Sequence, residues 1–238
     1  MTWIPALDRQ FYPSFDSGWD DEWFRKRILA RLQPIHTVLD YGAGRGNVSQ
    51  MNFRGLAGRV SGTDVDPSVA RNPFLDDHTV FDPAAGKLPY PDATFDVAFS
   101  DNVFEHLDRP EQAMREIYRV LKPGGRLLIK TPNWWHYMPL IAAGTPHWFH
   151  VWYNAKCGRA PEDTFPTRYR ANTESRIWRL ASETGFEVET IEFWEGRPEY
   201  LRFSLPTYFI GLLYERLVNS TERLRGVRSV LFAEIRKA

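Results

Sequence analysis

Residues 37–48 read TVLDYGAGRGNV, and the fold turns on them. Val38 and Leu39 are a short apolar run of the kind that forms a buried strand. The run ends on a carboxylate, Asp40. Gly42, Gly44 and Gly46 follow at alternate positions, and the chain beyond them can start a short helix. A strand, a glycine-rich turn and a helix in that order let backbone approach a nucleotide-like ligand closely. A Cβ in such a turn blocks either the turn or the ligand. The dinucleotide fingerprint G-x-G-x-x-G/A is not met, because Asn47 stands where Gly or Ala is required. A carboxylate two residues before the first glycine repels a pyrophosphate and suits a ligand that carries positive charge.

Composition narrows the classes. The chain has 238 residues, 43% hydrophobic and 25% charged, which is ordinary for a globular protein of one large domain. The formal net charge is zero, against the basic excess of a dedicated nucleic-acid binder. One cysteine, Cys157, excludes an internal disulfide and a thiolate zinc site. The first ten residues lack a signal-peptide pattern, and no apolar run reaches the about 20 residues of a membrane span. The expected location is cytoplasmic.

Outward from the glycine turn, residues 1–18 show no clear period. Trp23, Phe24, Ile28, Leu29 and Leu32 predict a helix over 19–32, with Asp16 or Ser17 as cap and Pro34 as stop. Residues 59–64 predict the second strand. It ends on Asp64, about 20 residues past the glycines, where a carboxylate accepts from both ribose hydroxyls. Val65 would then lie against an adenine, and Asp66 forms an Asx turn before Pro67. A third strand is predicted over 78–81 and a fourth over 95–100. Met114, Ile117, Tyr118 and Leu121 make a helical stripe over 111–121, which the breaker Lys122-Pro-Gly-Gly125 ends. Residues 126–130 predict strand five, 173–185 a helix, 186–193 strand six and 230–236 the last strand.

The blocks D-Y-G-A-G-R-G at 40–46, L-P-Y-P-D-A-T-F-D-V at 88–97 and R-V-L-K-P-G-G-R-L-L-I at 119–129 resemble the class I S-adenosylmethionine-dependent methyltransferases. That resemblance implies an α/β Rossmann-like fold. Its seven-stranded, mostly parallel sheet carries helices on both faces, and the last strand is antiparallel between strands five and six. It also implies S-adenosyl-L-methionine as cofactor. The expected cofactor residues are Asp40, Tyr41, Gly42, Ala43, Gly44, Asp64, Val65, Asp82, Pro83, Ser100, Asp101 and Asn102. Among these, Asp82 is the family's adenine partner. Tyr12 and Trp19 lie in a leading segment that in relatives closes over the cofactor. The Asn-Pro-Pro-aromatic motif of adenine-N6 and glutamine methylating enzymes is absent.

A single domain is expected over 1–238. Its parts are a cover at 1–35, a cofactor-binding core at 36–131 and an aromatic-rich substrate cap from insertions at 132–170 and 195–225. The reaction implied is displacement of a methyl group by a small-molecule acceptor, most simply an oxygen on an aromatic, lipid-like or sugar metabolite. A hydroxyl acceptor needs a general base. The candidates are His106, His136, His147 and His150, with Tyr137 and Tyr153 as further acid/base groups. His147 and His150 have no carboxylate or thiolate beside them, so no metal is expected. Residues 197–238 hold eight Arg or Lys against four Glu. With the apolar pattern Ile210, Leu213, Tyr214 and Leu217, that allows a packed helix, peripheral membrane contact or a homodimer contact. The alternatives in other classes are a non-catalytic binding protein on this fold, a protein or RNA methyltransferase, and a nicotinamide-dependent oxidoreductase.

Overall fold

The computed structural model describes residues 3–14, 19–144 and 166–238, with the side chains of 142–144 excepted. The chain divides into two compact units. One holds Asp21–Thr131, Thr167–Glu192 and Leu231–Ala238; the other holds Met1–Asp20, Pro132–Pro166 and Phe193–Val230.

The first unit is built on a seven-stranded sheet. Its strands are β1 Thr37–Tyr41, β2 Arg59–Asp64, β3 Asp77–Val80, β4 Phe95–Asp101, β5 Leu121–Pro132, β6 Phe186–Trp194 and β7 Val230–Lys237. Their spatial order is β3-β2-β1-β4-β5-β7-β6. The sheet is mostly parallel, with the last strand antiparallel, as the resemblance implies. Val38, Leu39, Val97, Ala98, Phe99, Leu127, Leu128 and Ile129 are buried, so the central strands read as apolar runs covered on both faces. Register sets the site: Asp40 stands beside Gly62 and Phe99, and Asp101 beside Lys130.

Three expectations change. The glycine turn leads only to a single 3-10 turn, Ser49–Met51, not a helix. Gly44 and Gly46 have φ of +52° and +80°, and the Arg25 guanidinium takes the carbonyls of Gln50 and Asn52, which a helix would use. The Lys122–Gly125 stretch is an excursion inside β5 rather than a turn before it. Phe95 pairs with Leu121 and Val97 with Arg126, with Gly124 at φ +76° between them. The third strand runs one residue earlier than predicted.

Helix α1, Ile4–Phe11, lies where the sequence showed no period. Helix α2, Asp20–Leu29, buries Phe24, Ile28 and Asp21, while Trp23 and Leu29 of the predicted stripe are exposed. The predicted caps Asp16 and Ser17 lie outside the described residues. Helix α3, Pro110–Val120, buries Ala113, Met114, Ile117 and Val120 and packs beside α5, Glu174–Thr184. Thr173 caps α5 by accepting the Arg176 N–H, and Gly185 closes it at φ +90°.

The second unit holds α1, α4 (Tyr137–Gly144) and α6 (Leu205–Asn219). Ser204 and Thr207 form a reciprocal cap at the start of α6. Here the predicted face is reversed. Tyr208, Leu212 and Val218 are buried, whereas Ile210, Leu213 and Leu217 are exposed, the last two at 70% and 60%. Among the described residues no helix is long and apolar enough to cross a membrane.

Candidate functional site

The glycine turn is held from three sides. Gly42 has φ +82°, and a Cβ there would stand 2.2 Å from Val103 Cγ2. The N–H groups of Gly42 and Ala43 both donate to the Thr63 carbonyl, at 2.8 and 3.2 Å. Asn72 Nδ2 donates to the Ala43 carbonyl at 2.8 Å, and its Oδ1 fills the space a Cβ on Gly46 would need. A Cβ on Gly44 meets nothing within 4 Å, so that peptide faces open space. Asp64, at the end of β2, accepts the Gly44 N–H on Oδ2 and the Asp66 N–H on Oδ1, both at 2.8 Å. An ionised carboxylate has about four acceptor positions, so two remain for vicinal hydroxyls. Asp66 caps the next turn through Ser68 N–H at 2.7 Å, as expected.

Three carboxylates end three adjacent strands. Asp40 is buried, and burial together with Asp101 and Asp64 pushes it well above the usual carboxylate range. Burial likewise raises Asp101, while Lys130 opposes that shift. Lys130 Nζ lies 2.9 Å from Asp101 Oδ1 and pairs also with Asp21 of α2. Asn102 takes φ +53° and donates Nδ2 to Asp101 Oδ1 at 3.0 Å. Ser100 is buried at the same strand end, and its hydroxyl has no hydrogen-bond partner among the described residues. Tyr41 is buried against Phe81, with ring centres 5.9 Å apart. Val65 is half exposed. Asp82 is exposed at the start of the turn Pro83–Ala85, where its carboxylate accepts the Ala84 N–H at 2.8 Å.

The histidine candidates separate. His106 follows β4 in the sheet unit and keeps 29% of its side chain exposed, with Nε2 3.8 Å from Glu105 Oε1. Glu105 is buried and accepts from Thr131 Oγ1 at 3.1 Å; Asn172 donates to that hydroxyl at 2.7 Å. Burial pushes Glu105 up to about 7. His136 and Tyr137 belong to the other unit. His136 is buried, which lowers it to about 3, and its Nε2 lies 3.5 Å from Glu195 Oε2, with neither atom hydrogen-bonded among the described residues. Burial pushes Glu195 up to about 8 and also raises Tyr137. Tyr12 and Trp19 are in this unit, where Tyr12 OH donates to Glu215 at 3.2 Å. His147, His150 and Tyr153 lie outside the described residues. Among those described, no group of three metal-ligating side chains forms.

Sequence reasoning missed Asp21, Asn72, Glu105 and Lys130. The one available signal was Lys130 itself, a cation at the end of an apolar strand.

Residues 39–129 match the family model described as a methyltransferase domain. Over those residues the chain is similar to methyltransferase domains. A Mycolicibacterium smegmatis protein named as a probable S-adenosylmethionine-dependent methyltransferase is 33% identical over 197 residues, covering 78% of this chain and 63% of its own. The ubiquinone/menaquinone biosynthesis C-methyltransferase UbiE of Laribacter hongkongensis is 35% identical over 108 residues, covering 42% of this chain and 44% of its own. The chain thus spans under two thirds of either relative. Among solved structures, an S-adenosylmethionine-dependent methyltransferase of Mesorhizobium loti shares the fold with TM-score 0.55 and 19% identity, over 92% of this chain and 99% of that one. The geranyl diphosphate C-methyltransferase of Streptomyces coelicolor gives 0.54 and 16%, over 91% and 78%. The [4+2]-cyclase SpnF gives 0.55 and 20%, over 91% and 80%. The methyltransferase-domain residues fit the family's donor: an open peptide at Gly44, spare acceptor capacity on Asp64, and the acidic strand ends Asp40 and Asp101.

Proposed function

We propose that the chain transfers the methyl group of S-adenosylmethionine to a small-molecule acceptor, with an oxygen on an aromatic, lipid-like or sugar metabolite as the acceptor atom. The observation that carries this is the set of carboxylates Asp40, Asp64 and Asp101 at the ends of three adjacent strands, with Lys130 as counter-ion. Such a set disfavours a phosphate and favours a cation. When bound, S-adenosylmethionine supplies a methyl group already activated on a sulfonium. The protein's part is then orientation and exclusion of water. Asp64 would hold the ribose hydroxyls, the turn at Gly42 and Gly44 would admit the ligand against backbone, and Asp101, held beside Lys130, would face the ligand's positive charge, with Asp40 as a buried polar group next to it. Asp82 would release the Ala84 N–H or share its second oxygen to meet an adenine amino group.

His106 is the base candidate on the same unit. Its contact with Glu105 gives the imidazole a way to hold the proton it accepts. We assign acceptor recognition to the second unit, because it presents aromatic and aliphatic surface at Trp135, Leu140, Ile141, Leu213 and Leu217. Such a surface suits a lipid-like acceptor or the membrane that carries one. The names of UbiE and of the geranyl diphosphate enzyme make carbon on an isoprenoid-type molecule the second acceptor reading. SpnF favours a non-methylating protein on the same fold as the second functional reading.

Incubation with methyl-labelled S-adenosylmethionine and an extract of small molecules and membranes separates these. Label in the organic phase supports a lipid or aromatic acceptor. Label in small water-soluble products supports a polar metabolite, and label in the precipitate a macromolecule. Saturable binding with no transfer from any extract would favour the non-methylating reading.

A further inference from the structure

Lys130 sits fully buried near the end of β5, and its register neighbour on β4 is Asp101. The ammonium meets two carboxylates: Asp101 at 2.9 Å and Asp21 from α2. One carboxylate would neutralise it, and it meets two. Among the described residues, Asp40 on β1 also interacts with Asp101, and Glu105 after β4 interacts with both Asp101 and Lys130. Asn102 adds a neutral donor to the Asp101 oxygen that Lys130 holds.

We propose that Lys130 is a positioning residue of the donor site: anchored by Asp21, it keeps Asp101 ionised and fixed, and so strengthens the binding of a positively charged ligand. This rests on the donor-site reading above. The sign is what makes it testable. Coulomb's law alone says that removing a cation near a cationic ligand tightens binding. The coupling says the reverse. Without the ammonium, Asp101 faces Asp21, Asp40 and Glu105 with no counter-ion and takes up a proton. A neutral Asp101 then loses its hold on the ligand's charge.

Equilibrium binding of S-adenosylmethionine, and of adenosine as a probe without the sulfonium and amino acid, tests this from pH 6 to pH 8.5. The proteins compared are Lys130→Arg and Lys130→Met, which share the titration of Glu105. Lys130→Arg should bind both probes as wild type does. Lys130→Met should bind S-adenosylmethionine about tenfold or more weakly at pH 6, recover toward pH 8.5, and bind adenosine normally, as expected when only about a tenth of the carboxyl is ionised at pH 6 and nearly all of it at pH 8.5. Tighter or unchanged S-adenosylmethionine binding would overturn the proposal. So would an equal loss of both probes at every pH, which is the mark of a structural role. If Lys130→Met does not fold, the triple variant Lys130→Met, Asp101→Asn, Asp21→Asn replaces it, since it leaves no unpaired carboxylate in the trio. It should bind weakly and without the pH recovery; wild-type affinity there would overturn the proposal. A wild-type protein that binds neither probe would overturn the donor-site reading, and the inference with it, which is a different result from any of these.

Discussion

In the sheet unit, three carboxylates withdrawn from water are matched. Asp64 accepts two backbone N–H groups, Asp101 pairs with Lys130 and Asn102, and Glu105 accepts from Thr131. In the second unit, His136 Nε2 and Glu195 Oε2 lie 3.5 Å apart, both buried and neither hydrogen-bonded among the described residues. An unmade hydrogen bond at a buried atom costs about 1–3 kcal/mol, and tolerated cost of that kind concentrates where a ligand or a proton can relieve it. The three carboxylates are met; the His136–Glu195 pair is an open demand. The tyrosines Tyr137 and Tyr214, with rings 5.0 Å apart, enclose the open pair on one side.

The contrast breaks most easily at its strongest pairing. Removing one partner of a buried ion pair costs about 3–5 kcal/mol, so Lys130→Met should lose that much in chemical denaturation. Glu195→Gln at neutral pH should cost far less, because Glu195 is held there with its proton on. Equal losses would show that the two units handle charge alike.

Titration sharpens the same comparison. Glu105 at about 7 and Glu195 at about 8 both stand above the ordinary 4.5 of the unfolded chain. Their contributions are therefore fully present below about pH 4.5 and are lost as pH rises through 7 and 8. Stability should fall by about 3 kcal/mol across the Glu105 window, and Glu105→Gln should remove that part of the slope. His136 works in the opposite sense: held near 3, it contributes stability above its ordinary 6.5 that is lost on acidification. Wild-type unfolding curves that do not change between pH 5 and pH 9 would contradict all three assignments. The smallest effect is expected at a helix start. Thr173→Ala removes the cap on Arg176 N–H and should cost about 1 kcal/mol, read as a lowered Tm.

Legibility in the sequence followed the same division. The strands and their ends were readable because an apolar run, a glycine turn and an acid recur at fixed distances along the chain. Thus β2, ending on Asp64, and the antiparallel β7 stand where expected. The Lys130–Asp21 pair was not readable, because its partners are 109 positions apart and only the β4–β5 register brings the lysine to Asp101. The turn after Gly46 was misread because Arg25, from another element, takes the carbonyls that a helix needs. On α6 the apolar residues are numerous enough to satisfy two faces. Periodicity marked Ile210, Leu213 and Leu217, while packing buried Tyr208, Leu212 and Val218. The pairing of His136 with Glu195 joins two insertions that the sequence offered as one cap without naming a contact between them.

The account stands or falls on Asp64, the residue that ties the glycine turn to the second strand. Calorimetric binding of S-adenosylmethionine to wild type and to Asp64→Ala tests it most directly. Saturable binding by wild type, weakened by about 1.5–3 kcal/mol in Asp64→Ala, is the result expected for lost hydrogen bonds to a charged group. Equal affinity in the two proteins, or no binding by wild type, would contradict it.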